Sequence, residues 1–195
     1  MGTNMKIYFI RHGRTLGNLE KRYVGRTDES LCEEENVRLA KICFPKVEKV
    51  YTSSMKRCIE TAQILYPDQD PMVVDHLQEC DFGAFEYKNY EELKDEKAYQ
   101  TFLETMGESG FPEGEKLEDF KERCRNAFRA VLKESNQEKA VAFVVHGGTI
   151  MAILDAFSSP HKDYYDWQVG NGEGFAADFY GEENGKFLLR HIKHL

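Results

Sequence analysis

Several things are scarce in this chain of 195 residues, and each scarcity removes a class of protein. Cations are outnumbered: 26 Lys and Arg against 34 Asp and Glu leave a net charge of −8, so no basic surface is available for a nucleic-acid backbone or an anionic membrane. No apolar run approaches the roughly 20 residues that a membrane-spanning helix needs. The five cysteines, Cys32, Cys43, Cys58, Cys80 and Cys124, are odd in number and contain no C-x-x-C pair. Neither a disulfide framework nor a zinc knuckle is expected, and most should act as small buried hydrophobes. His76, His161, His191 and His194 fall into no H-x-H or H-E-x-x-H grouping, and the last two are expected in solvent. The apolar run Ile7 to Ile10 is too short for the core of a secretory signal, so the expected location is the cytoplasm.

What is present fits one domain over residues 1–195, with 41% hydrophobic and 31% charged residues. Three apolar, β-branched runs read as buried strands: Lys6 to Ile10, Val47 to Thr52 and Ala140 to Val145. Each stops abruptly at polar residues. Ser53 or Ser54 is placed to cap a helix whose apolar positions are Met55, Cys58, Ile59, Ala62 and Leu65, and Thr149 to Ala156 reads as a further helix. Glu91 to Met106 is charged and helical in pattern, Gly107 to Gly114 is a loop, and Leu117 to Leu132 carries one apolar helical face. A terminal hairpin is expected from Gly174 to Tyr180 and Lys186 to Ile192. Strands alternating with helices predict an α/β fold, three layers α/β/α around a mostly parallel sheet.

Open α/β sheets bind ligands beyond the carboxyl ends of their strands. There this sequence puts Arg11 and His12, Arg57 in the first turns of its helix, His146, and Glu79 after the Met72 to Leu77 segment. Two guanidiniums beside a helix N-terminus suit a phosphoryl group, because Arg offers fixed paired donors. Among these cations a neutral His12 is the expected nucleophile, with Glu79 as the proton donor to the leaving oxygen. His146 and the arginines would stabilise the oxygens of the transferring group.

Arg11-His12-Gly13 with Thr15 and Asn18, Tyr51 to Ser54 with Arg57, Glu79 to Gly83 and Val145 to Gly148 stand in an order that resembles the histidine phosphatase superfamily, the phosphoglycerate-mutase-like fold, over nearly the full chain. Arg11-His12-Gly13-Arg14-Thr15 with Asn18 is similar to its R-H-G-x-T-x-x-N signature, and Gly25 to Leu31 to its G-x-x-D-x-x-L loop. Tyr51 to Ser54 with Arg57 and Thr61-Ala62, Leu77-Gln78-Glu79-Cys80-Asp81-Phe82-Gly83, and Val145-His146-Gly147-Gly148 match its remaining elements in order. The resemblance implies a phosphorylated histidine at His12, a phosphate pocket from Arg11, Arg57 and His146 with Asn18 and Gly147 at the substrate, Glu79 as the acid, and no metal or organic cofactor. Three departures are expected in loops at the pocket mouth: Glu35 where Gly is usual, Phe85-Glu86-Tyr87 for W-E-G, and Pro112 to Lys116 for P-G-G-E-S.

The implied activity is hydrolysis of a small phosphorylated metabolite, and the compact length with the E-x-D-F-G-x-(W/F)-E stretch makes the chain similar to α-ribazole-5′-phosphate phosphatases of cobalamin assembly. Tyr23, Phe85, Tyr87 and Trp167 are candidates for stacking on a heterocycle. The alternatives are a cofactor-dependent phosphoglycerate mutase and a non-catalytic phospholigand-binding relative. The second would lack a nucleophile, arginine or acid, all of which are present here. The sequence leaves the oligomeric state open.

Overall fold

A computed structural model describes residues 4–135, 137–183 and 186–195. Its centre is a six-stranded sheet: β1 (Met5–Arg11), β2 (Lys49–Thr52), β3 (Met72–Val73), β4 (Ala140–Val145), β5 (Gly174–Glu183) and β6 (Lys186–His194), in the order β3-β2-β4-β1-β5-β6. The pairings β3-β2, β2-β4 and β4-β1 are parallel, while β1-β5 and β5-β6 are antiparallel. The mostly parallel α/β expectation holds. Of the Glu-Glu-Asn-Gly turn expected between the last two strands, Glu182 and Glu183 belong to β5 and residues 184 and 185 lie outside the described residues.

Side chains alternate across the central strands, so the sheet is buried on both faces. Ile7, Phe9, Val141, Phe143 and Val145 face α6 (Leu117–Glu134) and α7 (Gly147–Phe157), where Phe128 packs 5.2 Å from Phe143. Ile10, Ala142 and Val144 face the other way, toward Ala62 and Leu65 of α3 (Lys56–Leu65). On α6 the buried residues are Phe120, Cys124, Ala127, Phe128, Val131 and Leu132, the predicted stripe.

Three local expectations need correction. Glu91 to Met106 is not one helix but α4 (Tyr90–Leu93) and α5 (Lys97–Glu104). Leu93 and Tyr99 both join a small core around Phe85, and a spacing of six would set them about 120° apart around an unbroken helix. Neither Ser53 nor Ser54 caps α3: Met55 holds the cap position without a side-chain bond. Both hydroxyls are engaged elsewhere, Ser53 with His146 and Ser54 with Gln78. Finally, α7 begins at Gly147, two residues before the expected start, so its N-terminus lies directly at the end of β4.

Candidate active site

The parallel strands β1 and β4 are neighbours and end level with one another, Arg11 pairing with Val145. The next residue on each chain is therefore a histidine, and the rings of His12 and His146 lie 5.2 Å apart, edge to face. Both are buried. His12 Nδ1 donates to the Gly13 carbonyl at 2.6 Å. A carbonyl only accepts, so Nδ1 carries the proton and a neutral ring keeps its lone pair on Nε2. Burial, with the charges of Arg57 and Arg11, holds the His12 pKa well below the usual imidazole value. Burial and the same arginines also depress His146, whose Nε2 lies 2.7 Å from Ser53 Oγ.

Arg57 is fully buried because three backbone carbonyls receive it: Nη1 donates to Thr27 O at 2.7 Å, and Nη2 to Gly25 O at 2.9 Å and Val24 O at 3.3 Å. Arg11 Nη1 donates to Val169 O at 2.7 Å. In both guanidiniums Nε is buried without a partner. Leaving a buried charged donor unpaired is costly, and an oxyanion supplied by a ligand is the chemistry that satisfies such donors.

Glu79 stands across this cluster. Its Oε2 accepts from Gly148 N–H in the first turn of α7 at 3.0 Å, and its Oε1 from Cys80 N–H at 3.0 Å. Burial raises its pKa above the ordinary carboxylate value, against the pull of those N–H groups, Arg11 and Arg57. Arg123 reaches from α6 to the carbonyls of His76, Gln78 and Glu79 and is itself gripped by Glu115, which fixes the segment that carries the acid.

Asn18 lies on α1 (Leu16–Leu19), its Oδ1 accepting from Thr15 N–H and from Asn171 Nδ2, each at 3.2 Å. The oxygen is thereby committed, and the amide NH2 is the group left to turn outward. Gly147 backs onto Arg11, which would meet a Cβ there at 3.4 Å. Every candidate residue thus belongs to one cluster: two imidazoles, two guanidiniums, a carboxyl, an amide and a helix start.

Several contributions to the site were not predicted from the sequence. Asn171 Nδ2 bonds the His12 carbonyl at 3.0 Å as well as Asn18, and the Gly170-Asn171-Gly172 run before β5 was its only signal. Thr61 Oγ1 accepts from Gly13 N–H at 2.9 Å, tying α3 to the histidine turn. Glu35 is not in a loop at the mouth. It is fully buried in α2 (Glu33–Leu39), where it binds Arg14 and Arg38 beneath the turn after His12.

A cleft of about 820 Å³ opens from Arg11, Glu79, Gly147 and Gly148. Of the four aromatic candidates for its wall, only Tyr23 lines it. Phe85 and Trp167 are core residues, and the Tyr87 hydroxyl donates to Glu29 under the Arg22 guanidinium. Phe82, Phe102, Phe111, Tyr164 and Tyr165 supply the wall instead. His191 and His194 are exposed as expected but not idle: His191 lies 2.9 Å from Asp178, and His194 lines the cleft. Among the described residues no cluster of three or more His, Cys, Asp or Glu could hold a metal, and no helix is long and apolar enough to cross a membrane.

A largely parallel α/β sheet with two buried histidines and two arginines gathered at its strand ends defines a class of protein in which fold and site come as a unit. The chain belongs to the histidine phosphatase superfamily, branch 1, whose family model matches residues 7–190. It is 26% identical to a broad-specificity phosphatase of Saccharomyces cerevisiae over 96% of this chain and 85% of that one. It is 29% identical to a 2,3-bisphosphoglycerate-dependent phosphoglycerate mutase of Gloeobacter violaceus over 76% and 73% of the two chains. Among solved structures, the phosphoglycerate mutase of Thermus thermophilus superposes with a TM-score of 0.69 at 28% identity, covering 94% of this chain and 96% of that one. The α-ribazole phosphatase of Shigella flexneri shares the fold with a TM-score of 0.78 at 22% identity, covering 95% of each chain. The protein is thus phosphatase- or mutase-like.

Proposed function

We propose that this protein is a phosphomonoesterase that acts on a small phosphorylated metabolite through a phosphohistidine on His12. One observation carries the reading: the His12 Nδ1 bond to the Gly13 carbonyl leaves an unprotonated Nε2 under the charges of Arg57 and Arg11, whose buried Nε groups are unpaired. In the first step Nε2 forms a bond to phosphorus, the ester P–O bond breaks, and the Glu79 carboxyl gives its proton to the departing alkoxide. In the second, water attacks the phosphohistidine, Glu79 takes a proton from it, and the N–P bond breaks to release inorganic phosphate and neutral His12. Arg11, Arg57, His146, the Asn18 amide and the Gly147 end of α7 hold the phosphoryl oxygens, so side chains and backbone supply the positive charge without a metal. The narrower candidate substrate is α-ribazole 5′-phosphate, for which the aromatic wall of the cleft is the support.

The test is phosphate release with chelator present. His12→Ala should remove turnover and the acid-labile phosphoryl label while the protein stays folded; appreciable remaining activity rejects His12 as nucleophile. The relatives named as mutases motivate the second reading. Isomerisation of 3-phosphoglycerate faster than hydrolysis of any monoester would establish it.

A further inference from the structure

The cleft differs in character from the phosphoryl pocket at its floor. Its walls are Phe82, Phe102, Phe111 and Tyr165, with Leu103 and Met106 at the rim. Leu103, Met106 and Tyr165 are 47%, 68% and 40% exposed. Apolar side chains gathered around a concave opening favour an apolar ligand that removes them from water. The charges along the cleft point the same way. Arg11 is the only Lys or Arg among the described residues that line it, and it belongs to the phosphoryl pocket. The cations just behind the wall are already engaged: Lys121 with Asp155 and the face of Tyr164, and Arg123 with Glu115. Glu173 faces the same space, its Oε2 held by Gly170 N–H at 3.1 Å and 3.6 Å from His194 Nε2. A substrate bound through one phosphate would bring any second anion against aromatic rings and carboxylates, with no guanidinium to receive it.

We propose that this cleft selects monophosphate esters whose alcohol part is a flat or extended apolar group, and discriminates against substrates with a second phosphate or a carboxylate. The proposal rests on the phosphatase reading and deepens it. It separates this chain from its bisphosphate- and phosphoglycerate-using relatives by the wall of the cleft, not by the residues that touch the phosphate.

The experiment compares kcat/KM for 2-(2-naphthyl)ethyl phosphate, ethyl phosphate, 3-phosphoglycerate and fructose 2,6-bisphosphate. The first two release primary alkoxides that differ little in basicity, so their ratio reports the cleft instead of the chemistry. Burial of the naphthyl group should favour its ester by about 30-fold over ethyl phosphate. Both anionic substrates should fall at or below ethyl phosphate. Met106→Lys, at an exposed position, should lower the naphthyl preference and raise 3-phosphoglycerate turnover, shifting their ratio by roughly tenfold. Equal kcat/KM for the naphthyl and ethyl esters, or preference for either anionic substrate, overturns the proposal. If that flat profile comes with phosphate release that His12→Ala abolishes, the phosphatase reading stands without it. Silence on every ester discards both.

Discussion

His12, His146 and Glu79 are titratable groups moved in opposite directions by one cause. Burial disfavours charge, so it lowers both imidazoles and raises the carboxyl. A base depressed well below 6.5 and an acid raised above 4.5 predict a bell-shaped kcat/KM profile: the acid limb reports deprotonation of His12, the alkaline limb loss of the Glu79 proton. Glu79→Gln should slow alkyl esters by about 100-fold or more and p-nitrophenyl phosphate far less, because a phenolate leaves without a proton. Steady-state rates on the two ester types check this, and equal slowing removes Glu79 from the role of acid. Glu35 is the contrasting case. Burial pushes its pKa up, but the hydrogen bonds and charges of Arg38 and Arg14 overcome it and hold the carboxyl at about 2. Glu35→Gln should cost about 2 kcal/mol of stability, kept moderate because both arginines reach solvent, and denaturant unfolding measures it.

Elements matter here through their ends. Helix α7 starts at the residue after His146, and its Gly148 N–H holds the acid. A Cβ at Gly148 would lie 2.2 Å from Glu79 Oε1. Gly148→Ala should therefore displace the carboxyl while the better helix former returns about 0.5–1 kcal/mol to α7. Its signature is a protein of near-native melting temperature whose rates depend on the leaving group as steeply as those of Glu79→Gln. The turn before β5 works similarly from the other side. Asn171→Ala breaks the bonds to the His12 carbonyl and to Asn18 Oδ1, and should lower kcat/KM about tenfold by loosening the register of nucleophile and phosphate. An unchanged kcat/KM would show that the remaining contacts hold that register alone.

At the scale of the whole molecule, the buried neutral histidines couple the site to stability. The unfolded chain protonates His12 and His146 near pH 6.5, while the folded chain does so only at lower pH, so the unfolded state binds more protons in between. Stability should fall as pH drops below about 6.5, offset in part by Glu79, whose raised pKa makes the folded state the stronger proton binder just above pH 4.5. A second loss follows below pH 4.5, where the unfolded state protonates Glu35 while the folded state, with its pKa of about 2, does not. Thermal unfolding as a function of pH checks both, and the first drop should shrink in His12→Ala. A melting temperature that rises on acidification to pH 5 would contradict the account.

The sheet, its flanking helices and the residues at the strand ends were legible in the sequence, because buried parallel strands are short apolar runs that stop at polar residues. Arg11, His12 and His146 follow directly from that rule, Arg57 and Glu79 lie several residues past their strands, and the ordered motifs were needed to set all five in one family. Contacts between segments far apart in the chain were not legible. Glu35 looked like a departure in a loop and is a buried anchor for two arginines. Asn171 lies 159 residues from the backbone it clamps, and Phe85 and Trp167 went to the core while Phe82 and Tyr165 became the wall. Local periodicity reports which residues are apolar and where an element ends. Which apolar group packs inward, and which polar group finds a distant partner, depends on the meeting of surfaces, and only the tertiary structure decides it.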